Sequence, residues 1–99
     1  MIAKGKGRDT AVKLSCHITV KNELGLHARP ASMIVKMLQE VKSSVHFTLE
    51  EERVSARSIV GILMLAASKD SILLVDVEGE DADLVMRKLV WAFDKGFEE

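Results

Sequence analysis

One histidine is set apart by its neighbours. His27 lies in the run Gly25-Leu26-His27-Ala28-Arg29-Pro30-Ala31, between a glycine that favours a turn and a proline that favours the start of a helix. The first N–H groups of a helix have no internal partner and carry the positive end of its dipole. A helix beginning here therefore puts an anion site beside the imidazole. A neutral ring nitrogen is the nucleophile needed to attack a phosphoryl donor. Once transferred, the phosphoryl oxygens would lie among those N–H groups and within reach of Arg29, whose planar fork matches phosphate. A histidine at a helix start can also merely cap it or lie in solvent, and alone it would be read that way. Gly25, Arg29 and Pro30 reverse the preference.

The elements that must position His27 follow from periodicity. Val12, Leu14, Cys16, Ile18 and Val20 alternate with Lys13, Ser15, His17, Thr19 and Lys21, the period of a half-buried strand. Asn22 to Leu26 breaks that alternation. From Pro30, taken as the first helical residue, Ala31, Ile34, Val35 and Leu38 fall at helical spacing. Val45, Phe47 and Leu49 alternate again, Glu50 to Glu52 reads as an acidic turn, and Arg53 to Ala56 as a returning strand. Ser58 is a good N-cap for a second helix, expected from Ile59 to about Ser68. Ser71 to Val77 reads as a fourth strand, with Leu73, Val75 and Val77 on one face. A last helix starts at Asp81 or Asp83, carries the stripe Ala82, Val85, Met86, Leu89, Val90 and Phe93, and ends near Gly96. The order β-α-β-β-α-β-α predicts an α+β fold: a two-layer open-faced sandwich, four antiparallel strands with three helices on one face.

Length and composition bound what such a fold can do. Ninety-nine residues suit one domain, expected over 12–99 behind a flexible leader at 1–11. With 47% hydrophobic and 29% charged residues, the balance is that of a folded globular chain. The longest apolar stretch, Ile59 to Ala67, is far short of the roughly 20 residues needed to cross a bilayer. No signal segment is readable, so a cytoplasmic location without membrane insertion is the expectation. Cys16 is the only cysteine, which excludes an internal disulfide and a multi-cysteine zinc site. It alternates inward with Leu14 and Ile18 and reads as a core residue. His17 and His46 fall on polar strand faces without ligand companions, so no metal and no cofactor is expected. The net charge of −1 and four aromatic residues argue against a nucleic-acid module. Charge is nonetheless uneven: residues 21–42 hold four bases against two acids, and residues 78–99 hold seven acids against three bases.

The run Asn22-x-x-Gly25-Leu26-His27-Ala28-Arg29-Pro30-Ala31 resembles the active-site motif of HPr, the histidine-containing phosphocarrier family of the bacterial phosphoenolpyruvate-dependent phosphotransferase system. Ser58-Ile59-Val60-Gly61-Ile62-Leu63-Met64-Leu65 resembles the family's second helix, and the element order matches from about residue 12 to 98. The resemblance implies that His27 takes a phosphoryl group on Nδ1 from enzyme I and passes it to enzyme IIA domains. It implies that Arg29 steadies the group with the backbone N–H groups of Ala28 and Arg29. It further implies that Ser58 is where a serine kinase and phosphatase would act, and that Ile59, Val60 and Leu63 form a docking patch. Such a protein carries a phosphoryl group without being an enzyme itself, and presents one face to successive partners most simply as a monomer. Physics alone reads Ser58 as a plain N-cap, and both readings can hold together. Glu50-Glu51-Glu52 stands where the family often has an Asn-Gly turn.

Two other functions compete with the sugar-transport reading. The stretch Ile62 to Ser68 and the tail Gly96-Phe97-Glu98-Glu99 also resemble the nitrogen-related branch of the family, whose members regulate rather than feed sugar uptake. A protein-binding regulator switched at Ser58, with His27 silent, is the rival from another class; the presence of His27 weighs against it.

Overall fold

The structure, a computed structural model, describes residues 12–98; the expected leader at 1–11 lies outside the described residues. Strand β1 (Val12–Thr19) is followed by helix α1 (Ala28–Met37), strands β2 (Ser44–Leu49) and β3 (Glu52–Ser55), helix α2 (Ile59–Met64), strand β4 (Ile72–Gly79) and helix α3 (Ala82–Asp94). The strands form one sheet in the order β1-β4-β2-β3, and every pairing is antiparallel. This is the α+β open-faced sandwich that the periodicity predicts.

The register explains the two faces. Cys16 opposes Val75, Ile18 opposes Leu73, and Phe47 opposes Val75 from the other side, so one face of the sheet is continuous apolar surface. The helices cover that face with Ala31 and Ile34 of α1, Ile62 of α2, and Val85, Leu89 and Phe93 of α3, all buried in one core. Phe93 joins its two ends by edge-on contacts to Phe47 at 5.8 Å and Phe97 at 4.9 Å. Each such contact contributes about 1 kcal/mol beyond simple burial. Cys16 packs half-buried against this core. Lys13, His17 and Glu78 lie exposed on the uncovered face, and Ile72 and Leu74 share it.

Three boundaries differ from those expected. Helix α1 starts at Ala28, so Pro30 occupies the third helical position instead of the first. The hairpin turn is tighter: Glu52 already pairs with Leu49, and Glu50 makes the reversal in the left-handed region at φ 57°, where an L residue costs about 1 kcal/mol. Helix α2 stops at Met64, four residues short of Ser68. Its end winds up through Leu65 N–H to Ile62 C=O and Ala66 N–H to Leu63 C=O, and Ala66 then turns out of the helix at φ 51°.

The early end of α2 serves the segment that carries His27. The Ala67 carbonyl, released from the helix, accepts the Leu26 N–H at 2.9 Å. Lower down, Val20 donates to Ser71 and accepts from Asp70, so residues 20–26 run beside 67–71. Between them the chain turns over Asn22, whose side-chain Nδ2 donates to the Gly25 carbonyl at 2.5 Å. Gly25 sits at φ 70°, where a Cβ would come within 2.3 Å of the Ala67 carbonyl oxygen. No side chain fits there.

Two polar clamps fix the far end of α1. The Arg57 guanidinium donates to the carbonyls of Leu38, Val41 and Ser43 at 2.5, 2.9 and 2.7 Å, satisfying groups left open where the helix ends. The Asp81 carboxylate accepts from the N–H groups of Lys42 and Ser43 at 2.8 and 2.9 Å, and from the Ser43 hydroxyl. The Lys42 N–H above all, then Ser43, holds the Asp81 carboxyl below its usual range.

Two outcomes follow for stability. Gly25→Ala should destabilise the fold by more than about 2 kcal/mol, from left-handed backbone plus collision with Ala67, as a lower urea midpoint at unchanged slope. Because the Asp81 acidity is raised on folding, its contribution is present above the ordinary carboxylate value of 3.8 and is lost as pH falls through the lowered one. The gap in melting temperature between wild type and Asp81→Ala should therefore be open at pH 6 and close as pH falls through the lowered carboxyl value.

Candidate functional site

His27 is the N-cap residue of α1, with φ −84° and ψ −168°, and its side chain makes no capping bond. Its carbonyl accepts the Ala31 N–H at 3.1 Å and so opens the helical ladder. Pro30 at the third position has no N–H, which removes one of the donors an N-cap side chain ordinarily takes. The N–H groups of Ala28 and Arg29 remain at the helix start without an intrahelical acceptor. No acidic residue lies in the first turn to offset the dipole. The imidazole thus stands half-buried at an uncompensated positive end, between buried Leu26 and exposed Ala28 and Arg29.

The surrounding charges leave that end open. Arg29 makes no ion pair or hydrogen bond among the described residues. Glu23, the nearest acid in sequence, is taken by Lys69 at 2.7 Å, and the bond from Lys69 holds the Glu23 carboxyl below its usual range while raising the amine. Both groups are exposed, so this pair matters less for stability than for keeping a carboxylate occupied away from His27.

Helix α2 presents the other predicted residues on a separate element packed beside α1. Ser58 caps it, its hydroxyl accepting the Gly61 N–H at 2.9 Å while the side chain stays exposed. Ile62 alone of this helix is buried; Ile59, Val60 and Leu63 are exposed, at 38, 65 and 39% of their surface. The split between core and surface that periodicity leaves open is thereby resolved in favour of an apolar patch. A shallow groove of about 330 Å³ joins Ile59 to Met33 and Lys36 of α1 and to Gln39 just beyond its end. His27, Ala28 and Arg29 are contiguous, and the α2 patch meets α1 further along, at Met33 and Lys36.

Sequence reasoning missed three contributors. Leu24, three residues before His27, is 75% exposed at the turn, and Met64 extends the α2 patch at 67%. Arg57, next to Ser58, ties the loop before α2 to the end of α1, a reach to backbone carbonyls that no residue pattern announces. His17 and His46 lie on the uncovered sheet face, far along the chain fold from α1, and no group of three or more His, Cys, Asp or Glu is placed to hold a metal ion among the described residues. No helix among them is long and apolar enough to cross a membrane.

Known proteins resemble this chain in sequence and fold. Residues 14–95 match the family described as the PTS HPr component phosphorylation site. Phosphocarrier protein HPr of Chlamydia pneumoniae is 36% identical over 92 residues, covering 93% of this chain and 85% of that protein. Phosphocarrier protein NPr of Shewanella violacea is 31% identical over 87 residues, covering 88% and 96%. Among solved structures, HPr-C-His from Thermoanaerobacter tengcongensis superposes with a TM-score of 0.83 at 31% identity, covering 87% of this chain and 97% of that one. With a family model matching about four-fifths of its length, relatives above 30% identical and the fold in agreement, the chain belongs to the HPr family of phosphocarriers of the phosphotransferase system.

Proposed function

We propose that this protein relays a phosphoryl group of the sugar phosphotransferase system through His27, taking it from enzyme I and giving it to an enzyme IIA domain. The observation that carries the reading is the place of His27 at the uncompensated start of α1. In the transfer, the Nδ1 lone pair attacks the phosphorus of the donor's phosphohistidine, and the bond from phosphorus to the donor nitrogen breaks with its electron pair. The Ala28 and Arg29 N–H groups and the Arg29 guanidinium face the phosphoryl oxygens and stabilise their charge before and after transfer. The second transfer reverses these steps, so the site must hold the group without burying it. An open helix end does this where a closed pocket would not.

The α2 patch is read as the surface on which partners dock, with Ile59, Val60 and Leu63 giving apolar contact and Lys36 a cationic edge. A kinase phosphorylating exposed Ser58 would place about two negative charges in that patch and so weaken docking of partners that lean on it. The NPr relative supports a second reading, in which the relay ends on a regulatory enzyme IIA. Phosphoryl transfer to sugar-specific enzyme IIA at rates typical of the system decides for transport; transfer only to a regulatory one decides for the nitrogen-related branch. A protein with these partners works in the cytoplasm and as a monomer.

The test is intact-mass analysis after incubation with phosphoenolpyruvate, magnesium and a bacterial enzyme I. The mass should rise by one phosphoryl group that acid removes, and His27→Ala should abolish the gain while leaving thermal unfolding nearly unchanged. An acid-stable gain, or one that His27→Ala retains, would overturn the site. Ser58→Asp should raise the dissociation constant for enzyme I several-fold, as expected for like charge brought into a contact surface; an unchanged constant would remove Ser58 from the docking surface.

A further inference from the structure

Asn22 is of an unusual type for its place. Among the described residues, Asn22 and Ser43 are the polar side chains that are buried, with 6 and 0% of their surface exposed. A buried polar group costs free energy unless it is bonded. The Ser43 hydroxyl is bonded to Asp81. Asn22 holds one residue, Gly25, from two sides: its side-chain Nδ2 donates to the Gly25 carbonyl at 2.5 Å, and its main-chain carbonyl accepts the Gly25 N–H at 3.0 Å.

The Gly25 carbonyl belongs to the peptide group that joins Gly25 to Leu26, and the N–H of that same group donates to the Ala67 carbonyl at 2.9 Å. A planar peptide group bonded at both edges cannot turn without breaking one of the bonds, although glycine on one side would otherwise allow the turn. The next peptide group carries His27. Asn22 is itself held from behind. Lys21 is tied to Asp94 at 2.7 Å, Val20 is bonded to Ser71 and Asp70, and a Cβ built on Gly96, just beyond α3, would lie 3.7 Å from the Asn22 Cβ. An amide suits this position because it donates without carrying charge. A carboxylate would turn an acceptor toward the Gly25 carbonyl and set a negative charge in the turn that leads to the positive end of α1.

Resting on the relay reading of His27, we propose that Asn22 is a positioning residue for phosphoryl transfer. It acts through the backbone: the peptide group it fixes sends the chain to the N-cap in one direction, so that the imidazole and the Ala28 and Arg29 N–H groups are presented together. As the bond from phosphorus to the donor nitrogen breaks, the bond to His27 Nδ1 forms opposite it, which demands an aligned imidazole. Without the side-chain bond, His27 spreads over directions of which few are aligned. The α2 patch on which docking is read is set by other contacts, the Ser58 cap and buried Ile62. Loss of the Asn22 bond therefore slows transfer and leaves the affinity for enzyme I in place.

The test compares the full protein with Asn22→Ala and with Asn22→Asp, the latter at a pH where its carboxyl is ionised. Transfer from phosphorylated enzyme I, measured well below each variant's urea midpoint, should show kcat reduced about ten-fold with KM unchanged. Asn22→Ser keeps a donor of shorter reach; its rate should lie between wild type and Asn22→Ala, and it preserves the comparison where another variant does not fold. A second readout needs no enzyme I. Phosphoramidate, a small chemical donor, loads histidine directly, and the change in the Ala28 and Arg29 amide proton shifts on loading should be smaller in Asn22→Ala than in wild type. A wild-type kcat in a variant whose urea midpoint has fallen would make Asn22 a fold residue alone and overturn the proposal, as would equal amide changes on loading. Wild-type protein that loads from phosphoramidate but takes nothing from enzyme I would sink the relay reading instead, and the amide changes would then decide for or against Asn22.

Discussion

The close approach of Gly25 to Ala67 is the constraint on which the site depends. It brings the backbone that delivers His27 against the backbone that leaves α2, with only the Leu26 N–H and the Ala67 carbonyl between them. The chain leaves α2 at Ala66, in the left-handed region at φ 51°, and the Ala67 carbonyl that follows is thereby free to face Leu26. The turn at Asn22 to Gly25 then sends the chain into α1 at one fixed angle. The position of His27 is thus set from behind by main-chain bonds, leaving its front open to a partner.

That arrangement suits a group that has to be given away. A pocket that wrapped the phosphoryl group would hold it more tightly and release it more slowly, since binding energy spent on the ground state does not speed transfer. On the proposed reading, the stabilising charges are the end of a helix and the exposed Arg29. They act at short range and ask little reorganisation of either partner. Glu23, the nearest acid in sequence, is engaged by Lys69.

Most of the fold was legible because its signals are local. The alternation from Val12 to Val20, the stripes of α1 and α3, and the Ser58 cap each need only neighbours in sequence, and each reappears in the structure. The turn and helix start that flank His27 were legible for the same reason, as they fall within seven residues. What escaped depends on distant pairing. The segment that follows the early end of α2 is paired with Leu26, some forty residues earlier in the chain, and no helix propensity in Leu65 to Ser68 foretells it. Pro30 was placed too early because His27 takes over the capping position that a proline at the first turn would imply for its predecessor. Arg57 is an ordinary loop cation until the carbonyls of Leu38, Val41 and Ser43 are seen around it.

The strand order has a consequence for the making of the protein. The first strand, β1, is completed only by β4, with Val12 opposite Gly79, and α3 follows later still. A nascent chain cannot close this sheet until nearly all of it has left the ribosome, and pairing of such widely separated segments is slow compared with local helix formation. The same bonds that join 20–26 to 67–71 are missing from any shorter product. A broken or unfinished copy therefore has the His27 motif in its sequence but lacks the main-chain bonds that seat the start of α1.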